Sequence, residues 1–399
     1  MEDKFKKTAI KNGIIITPFD ILKNKVLIFD KEKIISLEEE RPKEFYNNFK
    51  VINAQGNFVV PGFIDLHVHG GGGADTMDGT PGSLEKIAKT HCYFGTTSFL
   101  PTTMTMRKSR IMKSLENIKE VFHKGTGSAE ILGVHLEGPY INPLKKGAQK
   151  ESDICSPSIK EFEKINKASG GLIKLVTIAP EIHGAIDFIK WLKKNGIYSS
   201  AGHSDASYAQ VVKAVGAGLS QVTHIFNAMN KFHHREPGLI GAALTMEELY
   251  AQIISDEIHV HPVVIKIAVK SKGFDKILLI TDAIRATSMG EGITELGGQK
   301  VIVENGQARL EDGTLAGSIL TMDRAIRTMV EKVGVSLQNS IRMATINPAI
   351  SIGIENNKGS LEPEKDADIV IMNKYLEVDT VIVKGKVIIK KMETAGNYS

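Results

Sequence analysis

The chain has 399 residues, 42% of them apolar and 24% charged, which is a globular composition with length for more than one small domain. Its formal charge of +4 comes without a basic run, and no stretch nears the ~18 apolar residues of a membrane span, so neither nucleic acid nor membrane is an expected partner. Its two cysteines, Cys92 and Cys155, make no Cys-x-x-Cys pair, and the N-terminus lacks a secretory pattern; both point to a cytoplasmic location.

Residues 8–60 read as short strands (TAIKNGIIIT, KVLIFD, KIISLE, FKVINAQGNFVV) broken by turn signals. From Val59 onward, apolar runs alternate with helical stretches such as SLEKIAKTHCYFG, KSRIMKSLENIKEVFHK, GAIDFIKWLKKNG and YAQVVKAVGAG. The runs are FVVPGFIDLHVH, TTSFLPTT, ILGVHLEGP, IKLVTIAPE, YSSAGHS, SQVTHIFNAM, YAQIISDE and KILLITDA. Eight βα units over roughly 290 residues predict a (β/α)8 barrel, an α/β fold of the TIM type. A doubly wound sheet would want a phosphate-binding glycine fingerprint after its first strand, and Gly70 to Gly73 lack that pattern. After Gly359 the tail returns to strand character in ADIVIMN and VDTVIVKGKVIIK. Each all-β end alone would leave edges and an apolar face uncovered, so the two are expected to close one small β-sandwich. The expected organisation is therefore sandwich strands in 1–58 and 357–399 around a barrel at 59–356.

Most of these runs end in a reactive side chain: His67 and His69, His135 and Glu137, His203, His224, Asp256 with His259, and Asp282. In a barrel such positions gather at one rim, where chemistry is done. Residues i and i+2 of a strand share a face, so His67 and His69 can chelate one ion. The second such pair, His259 and His261, runs into Pro262, which suits a helix start that would part the two rings. Glu137 sits where Gly138-Pro139 cuts a strand short, leaving its carboxylate at the rim. His203 and His224 could each be a buried core histidine; with Glu137 they make a two-histidine, one-carboxylate set suited to catalytic metal. His135 faces the same side and is expected to support rather than ligate. Asp282 reads either as a helix N-cap or as a carboxylate at the metal, a ligand able to move the proton of an attacking water.

The run Pro-Gly-Phe-Ile-Asp-Leu-His-Val-His-Gly, with His203, His224 and Asp282, resembles the amidohydrolase superfamily. Within it, His-Leu-Glu-Gly-Pro, Ala-Gly-His-Ser, Thr-His-Ile-Phe-Asn-Ala-Met, Arg-Glu-Pro-Gly-Leu and Met-Ala-Thr-Ile-Asn-Pro-Ala are similar to the N-acetylglucosamine-6-phosphate deacetylases. The resemblance implies hydrolysis of the acetamide of a phosphorylated amino sugar, with Glu137, His203 and His224 as metal ligands and Asp282 as general base. Retention of His67 and His69 implies the two-metal form with Glu137 bridging; zinc or iron, or else manganese or cobalt, would suit these ligands. It also implies that Asn227, the Ala228 backbone, Arg235 and His259 hold the sugar phosphate. Arg235 would reach in from a partner subunit, hence a homodimer. Leu315 and Ala316, in Thr-Leu-Ala-Gly-Ser, match a motif at the substrate. Gln149 stands where some members carry a substrate-contacting histidine, which leaves that contact open here. Glu364 stands where glycine is usual. Deacetylation of the galactosamine epimer, a dihydroorotase-like ring opening and a non-catalytic scaffold remain the rival readings, since fold alone does not choose.

Overall fold

The computed structural model describes residues 7–391. The apolar runs form eight parallel strands: Phe63–Val68, Thr96–Pro101, Val134–Glu137, Ile173–Ile178, Tyr198–Ala201, Gln221–Val222, Tyr250–Ile254 and Ile277–Ile280. Strands three to eight make a six-stranded parallel sheet in sequence order. The first two make a second sheet with Glu130–Ile131. The third run is thus split around Leu132 and Gly133, and a bridge from Thr102 to His135 stitches the two sheets. At the other margin Val68 pairs with Ala283, setting the first strand beside the eighth. Every residue of the first, second, third and eighth strands is buried. Burial on both faces is the reason these segments show no regular alternation of buried and exposed residues.

Helices link successive strands, and their apolar spacing explains how they cover the sheet. Lys108–Lys124 buries Ile111, Leu115, Ile118 and Val121, three or four residues apart, and ends at Gly125. Tyr208–Ala217 opens with a capping box in which Ser207 and Gln210 satisfy each other's backbone.

One segment departs from the expected alternation of strand and helix. Gly292–Leu296, Gln299–Glu304 and Gln307–Leu310 form an antiparallel three-stranded sheet after the eighth strand. Its turns are Gly297-Gly298 and Asn305-Gly306, all at positive φ, the residue types a tight hairpin demands. Alternating exposure along Gln299–Glu304 shows that one face is solvated.

The chain ends meet in two further sheets. Lys33–Glu39, Lys25–Asp30, Lys7–Lys11 and Phe49–Asn53 form one, in that order. The other runs Lys386–Lys390, Val378–Val383, Ile369–Met372, Phe58–Pro61, Ile14–Ile16, Ile21–Leu22, so N- and C-terminal strands pair directly. Leu27 and Phe29 of the first sheet share a buried cluster with Val59, Ile369 and Ile382 of the second. Glu364 has φ 69°, a left-handed conformation that glycine would adopt without penalty.

A buried ion cluster locks the C-terminal strands onto the parallel sheet. Lys358 Nζ lies 2.8 Å from Glu130, 2.9 Å from Asp366 and 2.6 Å from Asp368. Burial pulls the Lys358 ammonium toward neutrality, but the three carboxylates outweigh it and raise its pKa. Lys358→Met is expected to leave the buried Asp368 without a cation, while Glu130 keeps Lys384 and Asp366 keeps Lys33, and to cost about 3–5 kcal/mol in urea unfolding. A loss below about 1 kcal/mol would show that water reaches the cluster.

Candidate active site

Six side chains from five strand ends converge at one end of the parallel sheet. His67 is the penultimate residue of the first strand and His69 follows that strand; Glu137 is the last residue of the third. His203, His224 and Asp282 each stand two residues beyond the fifth, sixth and eighth strands. These three have φ of 49°, 29° and 51°, so the backbone reverses as it leaves the sheet and turns each side chain inward. Such φ values are uncommon outside glycine and cluster where function imposes them.

The clusters share Glu137. His67 and His69 Nε2 are 3.1 Å apart, and each lies 3.3 Å from Asp282 Oδ1. His203 and His224 Nε2 are 3.2 Å apart, at 3.4 and 3.2 Å from Glu137 Oε1. Glu137 also reaches the first group, with Oε1 3.5 Å from His67 Nε2 and Oε2 3.2 Å from His69 Nε2. His67, His69 and Asp282, and Glu137, His203 and His224, are therefore two buried donor sets that could each hold a metal ion. Glu130, Asp366 and Asp368 also converge, but the Lys358 ammonium already fills their centre.

The tautomers show that the two sets fit cations. His69 Nδ1 faces the Thr102 carbonyl at 3.2 Å and His203 Nδ1 faces the Lys145 carbonyl at 2.8 Å. A carbonyl only accepts, so Nδ1 carries the proton in both rings and Nε2 aims a lone pair inward. Lone pairs facing carboxylate oxygens in a dry site need a positive charge between them. Protonation is the alternative way to meet that need. Burial lowers His69, yet Asp282 and Glu137 outweigh it and raise its pKa to about 10; His203 is raised by Glu137 against the same burial. Burial pushes Glu137 up, but the surrounding imidazoles hold its carboxyl well below the usual range.

The other expected residues divide. His135 packs its ring edge-on to His67, 4.6 Å between centroids, and bonds the Leu66 carbonyl and Thr177 hydroxyl, so it supports the site from behind. Gln149, Asn227, Ala228, His259 and Leu315 line a cavity of about 190 Å³ above the clusters. Ala316 does not: it is fully buried behind the wall, its N–H on the Ala308 carbonyl. Arg235 is not among the residues lining this cavity; it is exposed, with its guanidinium on His234. Glu236 is not its partner, because Glu236 accepts the backbone N–H groups of Tyr208 and Gly238. His261 caps the helix Pro262–Lys272, so the second His-x-His pair splits as its proline indicated. His259 stays inside, its Nδ1 2.7 Å from Asp256. Burial lowers the His259 pKa, but the Asp256 contact prevails and raises it.

Three further residues shape the site. Asp65 lies fully buried beneath His67 and accepts from the backbone of His67 and from Thr281; burial lifts its pKa to about 6. Gly138 has φ 71°, and a Cβ there would sit 2.0 Å from Thr105 Oγ1, so only glycine lets the chain leave Glu137 this way. Glu181, after the fourth strand, accepts from Asn142 Nδ2, Ser204 Oγ and Asp205 N, holding the turn that follows His203. The fourth run visibly ends in an acidic residue, which was the available signal.

A parallel α/β sheet carrying two histidine–carboxylate sets at its strand ends defines a class, the metal-dependent hydrolases. The chain belongs to the amidohydrolase family, which matches residues 58–388. It is 42% identical over 382 residues to the N-acetylglucosamine-6-phosphate deacetylase of Bacillus subtilis (strain 168), covering 95% of this chain and 96% of that one. Identity to the N-acetylgalactosamine-6-phosphate deacetylase of Escherichia coli O157:H7 is 37%, over 84% of this chain and 89% of the other. The solved N-acetylglucosamine-6-phosphate deacetylase of Pasteurella multocida superposes with a TM-score of 0.91 at 31% identity, covering 96% of this chain and all of that one.

Glu181→Ala is expected to destabilise the protein by about 1.5–3 kcal/mol, the worth of hydrogen bonds to a charged acceptor, measured by urea unfolding. Glu181→Gln should lose less. Equal stability of all three proteins would mean that the turn after His203 holds itself.

Proposed function

We propose that the protein hydrolyses the acetamide of N-acetylglucosamine 6-phosphate to glucosamine 6-phosphate and acetate. The observation that carries this reading is the pair of buried donor sets joined through Glu137 at the floor of the cavity. The ring of parallel strands, closed by the Thr102–His135 and Val68–Ala283 bridges, supports a (β/α)8 barrel over 59–356. The two end sheets with their common core support a β-sandwich from 1–58 and 357–399.

His67, His69 and Asp282 would hold one divalent ion and Glu137, His203 and His224 another, with Glu137 reaching both. Imidazole and carboxylate suit zinc or iron, with manganese or cobalt as alternatives. Bound there, a divalent ion supplies Lewis acidity for the amide carbonyl and brings the pKa of water toward ~7. Asp282 presents Oδ1 to His67 and His69, which leaves Oδ2 to take the proton of the attacking water and pass it to the leaving nitrogen. His259, whose pKa the Asp256 contact raises, together with Asn227 and the Ala228 backbone, would hold the anionic end of the sugar. Arg235 completes the phosphate site of a partner subunit in a homodimer; its exposed guanidinium, with no carboxylate partner among the described residues, supports this role. Among the described residues no helix is long and apolar enough to cross a membrane, and both cysteines are free, in keeping with a cytoplasmic enzyme.

A second reading is deacetylation of the galactosamine epimer, favoured by the 37% identity to that deacetylase. Acetate release measured on both phosphosugars and on unphosphorylated N-acetylglucosamine, with and without added divalent metal, separates the readings. Metal-dependent release that prefers N-acetylglucosamine 6-phosphate is expected. Asp282→Asn should lower kcat by about 10²–10⁴-fold, the usual weight of a general base; near-normal kcat would remove Asp282 from the role. Arg235→Lys keeps the charge but loses the planar fork, and should raise KM for the phosphorylated sugar more than it lowers kcat. An unchanged KM would place the phosphate elsewhere.

A further inference from the structure

Gln149 is 3% exposed at the base of the cavity, with both ends of its amide committed. Its Oε1 accepts the Thr105 backbone N–H at 2.7 Å. A backbone N–H only donates, which fixes the amide's orientation, so Nε2 is the atom that donates to Glu137 Oε2 at 2.8 Å. That oxygen is the one turned toward His69, while Oε1 faces His203, His224 and His67. The terminal torsion of a glutamate is broad and has no staggered well of its own to keep both oxygens in place. Gln149 therefore acts as a pin. It engages one lone pair of Oε2 and leaves the other directed at the His67–His69–Asp282 set.

The loop that carries Gln149 is itself held. The Gln149 N–H bonds the Lys146 carbonyl at 2.9 Å, and the antiparallel insert grips the neighbouring residue through Gln299 Nε2 on the Ala148 carbonyl at 2.7 Å. The same loop offers the Lys145 carbonyl to His203. Its position is thus defined by contacts that do not involve substrate.

We propose that Gln149 is a positioning residue that sets the affinity of the His67–His69–Asp282 set for its divalent ion, by holding Glu137 Oε2 on that side. The inference rests on the two-ion reading above. Without the Gln149 donor Glu137 Oε2 is no longer held toward that set, whereas His203 keeps its Nδ1 bond to the Lys145 carbonyl and its ring contact with His224. The loss falls on one ion rather than on both.

The test is Zn²⁺ titration of chelator-stripped protein by calorimetry, beside thermal melting of the stripped forms to register any folding defect. Wild type is expected to take two equivalents. Gln149→Met, of similar length but without an amide, should bind one equivalent as wild type does and the other about 10–100-fold more weakly. Gln149→Asn, one methylene short of spanning Thr105 and Glu137, should do the same and secures the result if the methionine variant folds poorly. Variants that bind both equivalents like wild type, with only the KM for sugar phosphate raised, overturn the inference and make Gln149 a substrate contact. Equal weakening of both equivalents overturns it as well. A wild-type protein that takes a single equivalent overturns the two-ion reading, and this inference with it.

Discussion

One carboxylate governs the site. Glu137 is buried among four imidazole nitrogens at 3.2–3.5 Å, and burial of these groups together would not be favoured for stability alone. Concentrating acceptors and lone pairs in low dielectric is costly unless a cation is shared among them. Much of the surrounding architecture serves that arrangement: strand ends that stop short, reversed backbone at His203, His224 and Asp282, and a glycine at 138 that lets the chain turn away at once.

Two carbonyls do much of the orienting. Thr102 and Lys145 each take the Nδ1 proton of one histidine, which decides that the opposite nitrogen is a donor to metal. Lys145 belongs to the loop that also carries Gln149, and Glu181 ties Asn142 of that loop to the turn after His203. The loop, that turn and the antiparallel insert behave as one hydrogen-bonded collar around the cavity. Damage to any member is transmitted to ligand geometry rather than confined to the surface. The ion cluster of Lys358 plays the corresponding role far along the chain, fastening Asp368 of the terminal strands to Glu130 before the third strand.

The sequence by itself determined the alternation of buried strands and amphipathic helices, because parallel strands buried on both faces must be apolar throughout and helices covering them must be apolar on one face. It likewise marked the reactive residues, since a His or Glu closing an apolar run has few other reasons to be there. His67, His69, Glu137, His203, His224 and Asp282 were all legible in this way, and so was the divergence of His259 from His261 before Pro262. The hairpin insert at 292–310 was also written in Gly297-Gly298 and Asn305-Gly306, turn pairs that interrupt the βα rhythm.

Only the tertiary structure decided what these residues do to one another. No local pattern states that the Thr102 carbonyl meets His69, that Gln149 bonds Glu137 twelve residues earlier, or that Asp65 lies under Thr281. These contacts join different strands and loops, and their energies depend on burial, which sequence spacing does not encode. The same holds for exposure. Arg235 and Ala316 matched functional motifs equally well as letters, yet one stands in solvent and the other sits behind the cavity wall. Residue type and period identify the candidates; the direction in which a backbone leaves its strand selects among them.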